Sequence, residues 1–190
     1  MKLYLDLHSP LSRLVRLFIL AHKPDLAIDV MPQLKNNLPI ALTSVDPVGV
    51  LPVLVLGTGE AVNGSFLICD VLAENMGLND HNPKSERGLL SKIQALLHSF
   101  ERWQDENSRE IADEQRLRSE QDRMERILTF MDLQQLPAAR LKGLCSVALF
   151  AALASIRKHL PHIDFKRYAQ LQSWFVALEN LPAAVATRER

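Results

Sequence analysis

Between Lys2 and Leu7 apolar and polar residues alternate, with Leu3, Leu5 and Leu7 on one side. That period of two predicts a β-strand with one buried face. Ser9-Pro10 follows and suits the start of a helix: serine caps free N–H groups, and proline's fixed φ fits the first helical position. The apolar spacing then changes to 3.6, with Leu14, Leu17, Phe18 and Ala21 forming a buried stripe. Leu26 to Met31 predicts a second strand, and strand–helix–strand predicts a parallel pair with a right-handed crossover. From Gln33 to Val45 the pattern is weak, which predicts a loop with a short irregular helix. Pro52 to Leu56 and Glu60 to Val62 flank Gly57-Thr58-Gly59, a hairpin signal. Phe66 to Met76 is helical in pattern and runs into Gly77, a residue suited to end a helix.

Leu78 to Asn82 is short and polar and reads as a linker; beyond it only the helical period remains. Asn82-Pro83 opens a long helix with the stripe Leu89, Ile93, Leu96, Leu97, Phe100 and Trp103. Gln104 to Arg126 carries dense charge of both signs and predicts solvated helix surface, before Met124, Ile127, Leu128 and Met131 return to the core. Leu144 to Ile156 is apolar nearly all round and predicts a buried central helix. Phe165, Tyr168, Leu171, Phe175 and Leu178 predict another amphipathic helix, and Pro182 opens a short last one. Two domains are expected, residues 1–78 mixing strands with helices and residues 83–190 all helical.

Composition narrows the function classes. Lys plus Arg equals Asp plus Glu at 22 each, so no overall field attracts nucleic acid or a membrane surface, and neither is an expected partner. The longest apolar stretch, Leu144 to Ile156, is too short for a bilayer, which needs about 20 residues. Asp6 and His8 interrupt the N-terminal apolar run before it reaches the length of a secretory signal. Cys69 and Cys145 both sit in apolar helical runs, where they read as small core residues of a reducing compartment, without a metal-ligand cluster. A cytoplasmic location is expected.

Chemistry is suggested by the order of a few residues. Asp46-Pro47-Val48-Gly49 forms a turn, Leu51-Pro52 opens an apolar strand, and Gly64-Ser65 begins a helix. Pro52 cannot donate an N–H to a sheet, so it belongs at a strand's first residue or edge. A cis Leu51-Pro52 bond would leave the Leu51 backbone free to pair with an extended peptide ligand. Ser65 is expected as a helix N-cap; its hydroxyl and the free N–H groups beside it also suit a carboxylate.

This arrangement resembles the glutathione S-transferase family, in which a cis-proline follows a D/N-P-x-G turn and a Glu/Gln-Ser pair starts the next helix. Here Gly64 stands where Glu or Gln is expected, and Ser65 is kept. Ser9-Pro10-Leu11-Ser12-Arg13-Leu14-Val15-Arg16 is similar to the first-helix segment of bacterial members. The resemblance implies a thioredoxin-like N-terminal domain, an all-helical C-terminal domain, glutathione as co-substrate and a homodimer. It implies transfer of the glutathione thiol onto a small electrophile. Leu51, Pro52, Gly64 and Ser65 then hold glutathione, and Lys35, otherwise a plain solvated lysine, could reach its glycyl carboxylate. Leu11, Phe100 and Trp103 are expected beside the acceptor substrate, although Phe100 and Trp103 also match the core stripe. Ser9 occupies the place of the first cysteine in the thioredoxin-like C-P-x-C motif, and Ser12 that of the second. Serine at both positions argues against disulfide exchange and for stabilising a ligand's thiolate by a hydroxyl donor at a helix N-terminus. Ser9 is otherwise a plain helix cap, and Ser12 a solvent-facing helical serine. The absence of Glu or Gln at position 64 motivates an alternative: a non-catalytic adapter resembling stringent starvation proteins. In the buried helix, Gly143 and Ser146 align with the family's Ser/Thr-x-x-Asp start.

Overall fold

The computed structural model describes residues 1–23, 25–33 and 37–188. The N-terminal part runs β1 (Lys2–Leu5), α1 (Pro10–His22), β2 (Asp29–Pro32), α2 (Ile40–Thr43), β3 (Val53–Val55), β4 (Ala61–Asn63) and α3 (Ser65–Met76). The four strands form one sheet in the order β2-β1-β3-β4, with β1–β2 parallel and the other two pairs antiparallel. Leu3 faces Val30 on one side and Leu54 on the other.

Alternation along the strands gives the sheet two apolar faces. Leu3, Leu5 and Leu54 join the main core with Leu14, Phe18, Ile68 and Leu72 of the helices. Tyr4 and Val53 point the other way, into a smaller cluster with Leu42 and Leu51. Through Leu42, α2 therefore packs beside Leu51, immediately before Pro52. Leu7 lies outside the strand and is 41% exposed. The chain turns at Asp6, whose N–H donates to Ser12 Oγ (3.2 Å) and whose C=O accepts from Ser9 N–H (3.2 Å). The second strand also starts later than its apolar run: Leu26 and Ile28 donate to Lys23 and Leu26 in local turns, and pairing begins at Asp29.

After a 3-10 turn at Lys84–Glu86 the described chain is helical: α4 (Arg87–Asn107), α5 (Glu114–Asp132), α6 (Leu144–His159), α7 (Ala169–Val176) and α8 (Pro182–Ala186). The fold is thus a thioredoxin-like α/β part joined to an all-α part. As expected, α6 is buried along most of its length. Its start is Gly143, whose N–H donates to Ser146 Oγ (3.2 Å). The charged stretch after Gln104 is not one helix surface. Buried Glu106 accepts from the Asp113 N–H (2.9 Å) and pairs with Arg109 (3.2 Å), which closes a turn between α4 and α5. The helix expected around Phe165 is split, because Tyr168 at φ −111°, ψ 71° separates a 3-10 turn from α7. No helix among the described residues is long and apolar enough to cross a membrane.

The two parts meet along α1, which packs on both α3 and α6. Arg13 is buried in this seam, with its guanidinium 5.5 Å from the Phe150 ring centroid. It donates to Thr187 Oγ1 and to the Ala184 carbonyl, both at 3.4 Å. Arg16 donates to the Ala186 carbonyl at 3.2 Å.

Candidate functional site

A cleft of about 420 Å³ lies between the N-terminal end of α1, the segment before β3, and α4. Asp6 and Ser9 line it from the first, Gly49, Val50 and Leu51 from the second, and Glu101, Gln104, Asp105 and Ser108 from the third. The last four recur at the i, i+3, i+4, i+7 spacing of one helix face.

Ser9 reaches this cleft as the N-cap of α1. Its Oγ accepts from the Ser12 N–H (3.3 Å) and donates to Glu101 Oε1 (3.5 Å). Pro10 takes the first helical position, as its fixed φ requires. Ser12 is fully buried rather than solvent-facing, and its hydroxyl accepts the Asp6 N–H. It shapes the turn into α1 and does not line the cleft.

The Leu51-Pro52 peptide is cis. Pro52 directly precedes the first residue of β3, where its missing N–H leaves the ladder intact. Among the described residues, no backbone hydrogen bond within the chain uses the N–H or C=O of Leu51. The preceding turn is built by Asp46, which is 3% exposed. Its carboxylate accepts from the N–H groups of Val48 (3.3 Å) and Gly49 (3.2 Å) and from the side-chain amide of Asn63 (3.0 Å). Gly49 sits at φ 63°, where a side chain is disfavoured and a Cβ would also come within 3.2 Å of Leu38.

At the end of β4 the expected capping role moves by one residue. Gly64 is the N-cap of α3, and Ser65 is the first helical residue. Gly64 adopts φ 85°, ψ 114°, a conformation in which Glu or Gln would be strained although space for a Cβ is open. The first bond of α3 runs from Ile68 N–H to Gly64 O (2.9 Å), so the N–H groups of Ser65, Phe66 and Leu67 precede the helical ladder. Ser65 is 2% exposed and its Oγ has no hydrogen-bond partner. A buried hydroxyl without a partner is unfavourable by about 1–3 kcal/mol. Ser65 is not among the residues that line the cleft.

The residues expected beside the acceptor are placed differently. Leu11, Phe100 and Trp103 are 8%, 1% and 7% exposed and belong to the main core. The same helix presents Glu101 and Gln104 to the cleft instead. Neither was singled out in the sequence, where the polar i, i+3, i+4, i+7 stripe beside the apolar one was the available signal. Lys35 lies outside the described residues. The two cysteines are both buried. Burial, with Asp70 beside it, raises the Cys69 thiol well above its ordinary range. Burial and Glu86 push Cys145 up to about 12. The chain's own thiols are therefore poor nucleophiles at neutral pH.

Residues 3–80 match the family model described as the glutathione S-transferase N-terminal domain. Among solved structures, the chain is similar to a glutathione transferase family member from Pseudomonas fluorescens Pf-5 with bound glutathione. The TM-score is 0.87 at 19% identity, covering 100% of this chain and 98% of that one. A glutathione S-transferase from Methylobacillus flagellatus KT with glutathione bound gives a TM-score of 0.86 at 19% identity, covering 100% and 99%. A beta class glutathione S-transferase from Sphingomonas chungbukensis gives 0.75 at 18% identity, covering 98% and 96%. Among curated proteins none matches the sequence. Residues 3–80 thus carry the sequence pattern of a glutathione S-transferase N-terminal domain, and the chain shares the fold of these structures along its length.

Proposed function

We propose that the chain binds glutathione along Leu51, Pro52, Gly64 and Ser65 and transfers its thiol to a small electrophile. The observation that carries this reading is the buried, unpartnered Ser65 hydroxyl at the start of α3. A ligand carboxylate there accepts the hydroxyl and the free N–H groups together. Leu51 offers backbone pairing on the other side of the ligand, and Ser9 stands at the N-terminus of α1, where a thiolate gains a donor. The glutathione-bound state of similar structures supports the ligand's identity. Gly64 brings no side chain to the ligand's amine, so binding is expected to be weaker by about 1–3 kcal/mol than with Glu or Gln. The acceptor fills the cleft along Glu101, Gln104 and Ser108 rather than meeting Phe100 and Trp103. The domain limits consistent with this are residues 1–78 and 83–190, and the working unit is a homodimer in the cytoplasm. Calorimetric titration with glutathione tests the reading, and an absence of heat at millimolar ligand overturns it.

A non-catalytic adapter is the second reading, favoured by Gly64 and by the carboxylate that holds the Ser9 hydroxyl. It predicts no turnover of chlorodinitrobenzene or peroxides and one stoichiometric protein partner.

A further inference from the structure

We propose that the pocket beyond the C-terminal end of α6 binds a small oxyanion, a carboxylate or a phosphate, through Arg157. The site stands apart from the glutathione reading, since no residue lines both this pocket and the cleft at Ser9. The buried run of α6 gives way to Arg157-Lys158-His159 in its last turn. The chain then turns, with the Ile163 N–H donating to the Leu160 carbonyl (3.0 Å), and the 3-10 turn Phe165–Arg167 brings Phe165 back beside Arg157. A pocket of about 380 Å³ is left there, with Arg157, His162, Asp164, Phe165, Lys166 and Gln172 in its lining. That volume suits a small molecule.

Arg157 is held in place without being matched. Its guanidinium carbon lies 4.8 Å from the Phe175 ring centroid and 5.4 Å from that of Phe165. Such contacts attract the charge, but they do not supply the oxygen acceptors that its five N–H donors call for. Nη1 is buried and has no hydrogen-bond partner. Among the described residues Arg157 makes no ion pair, even with Asp164, whose Oδ1 accepts from the Lys166 N–H (3.0 Å). A cation recruited only for the helix dipole would donate to the last carbonyls of α6, and Arg157 does not. Lys166, which is exposed, adds a second positive charge to the lining, and Gln172 adds an amide. Two cations against the single carboxylate of Asp164 favour an anion. The planar fork of an arginine matches a carboxylate or a phosphate through two parallel bonds.

Inorganic phosphate and acetate are the probes, each titrated into the full chain at constant ionic strength with chloride as the replaced ion, so that general screening stays the same. The melting temperature is expected to rise saturably with at least one of them, because a ligand that binds only the folded state stabilises it. The anion that gives the larger rise assigns the class. Arg157→Met keeps an apolar stem between the rings and is expected to weaken that binding at least about tenfold, the loss of one charge-assisted pair. Lys166→Ala, at an exposed position, should weaken it severalfold with the fold intact. It decides alone if Arg157→Met does not fold. Ser65→Ala separates this pocket from the start of α3. Anion binding unchanged in that variant keeps the site at Arg157, and binding lost there overturns the assignment. No saturable rise with either anion overturns it as well, as does an equal rise in the parent chain and in Lys166→Ala.

Discussion

Asn63 donates its side-chain amide to Asp46 at 3.0 Å, fastening the last residue of β4 to the turn before Pro52. The hairpin end that leads into Ser65 and the loop that carries Leu51 are held in one geometry by this bond. Asp46→Ala leaves that amide and the N–H groups of Val48 and Gly49 without their acceptor. A stability loss of about 2 kcal/mol is expected, read from the denaturant midpoint. Glutathione affinity should fall with it, because Leu51 and Ser65 lose their common anchor. Unchanged affinity at full folding would separate the turn from the site.

Ser65→Ala should move stability and binding in opposite directions. The hydroxyl is buried without a partner and Gly64, not Ser65, is the cap, so its removal is expected to stabilise the ligand-free protein by about 1 kcal/mol. Glutathione binding should weaken by about 1–3 kcal/mol. A stability loss with affinity intact would make Ser65 a structural residue only.

Ser9→Ala removes both a cap and a donor. Losing the acceptor for the Ser12 N–H is expected to lower stability by about 1 kcal/mol. If the hydroxyl also stabilises the bound thiolate, turnover per folded molecule falls roughly 10- to 150-fold, the equivalent of one charge-assisted hydrogen bond. Glutathione affinity should stay close to that of the parent chain. A stability loss alone, with turnover intact, would move the donor role to backbone N–H groups.

Glu120 gives a pH-dependent signature to the α4–α5 contact. Burial by itself pushes its carboxyl up, but the Arg102 hydrogen bond, the Ser99 hydroxyl and Arg123 outweigh it and hold the group below its ordinary 4.5. A carboxyl depressed in the folded state adds stability above its unfolded value and loses it as pH falls through the folded one. The stability gap between the parent chain and Glu120→Gln should thus be full at neutral pH. It should close below about pH 4, as measured by denaturant melts across that range. A gap that stays constant with pH would assign the effect to packing.

Much of the fold was legible because its signals are local. The period of two ends at Ser9-Pro10, the hairpin is marked by Gly57-Thr58-Gly59, and α3 stops at Gly77, which sits at φ 69°. Leu51-Pro52 could be singled out because only proline takes the cis form readily. What stayed hidden depends on pairs distant in sequence. Asp46 meets Asn63 only after β3 and β4 have paired, and Ser9 meets Glu101 across 92 positions of chain. Phe100 and Glu101 are neighbours in sequence, yet one is in the core and the other lines the cleft. The apolar stripe shows which face is buried; it does not show what the opposite face looks onto. The displacement of the cap from Ser65 to Gly64 follows from a backbone angle that residue type alone did not specify.

The bonds from Arg13 and Arg16 to the backbone and side chain of residues 184, 186 and 187 set an order on biosynthesis. The first helix leaves the ribosome early, but the partners of its two arginines are made some 170 residues later. Until then the buried guanidinium of Arg13 has neither Thr187 nor Ala184 to bond. On a growing chain the sheet can assemble while α1 is still unfastened on that side. Residues 184–187 are thus needed to complete the packing of the helix that Ser9 heads.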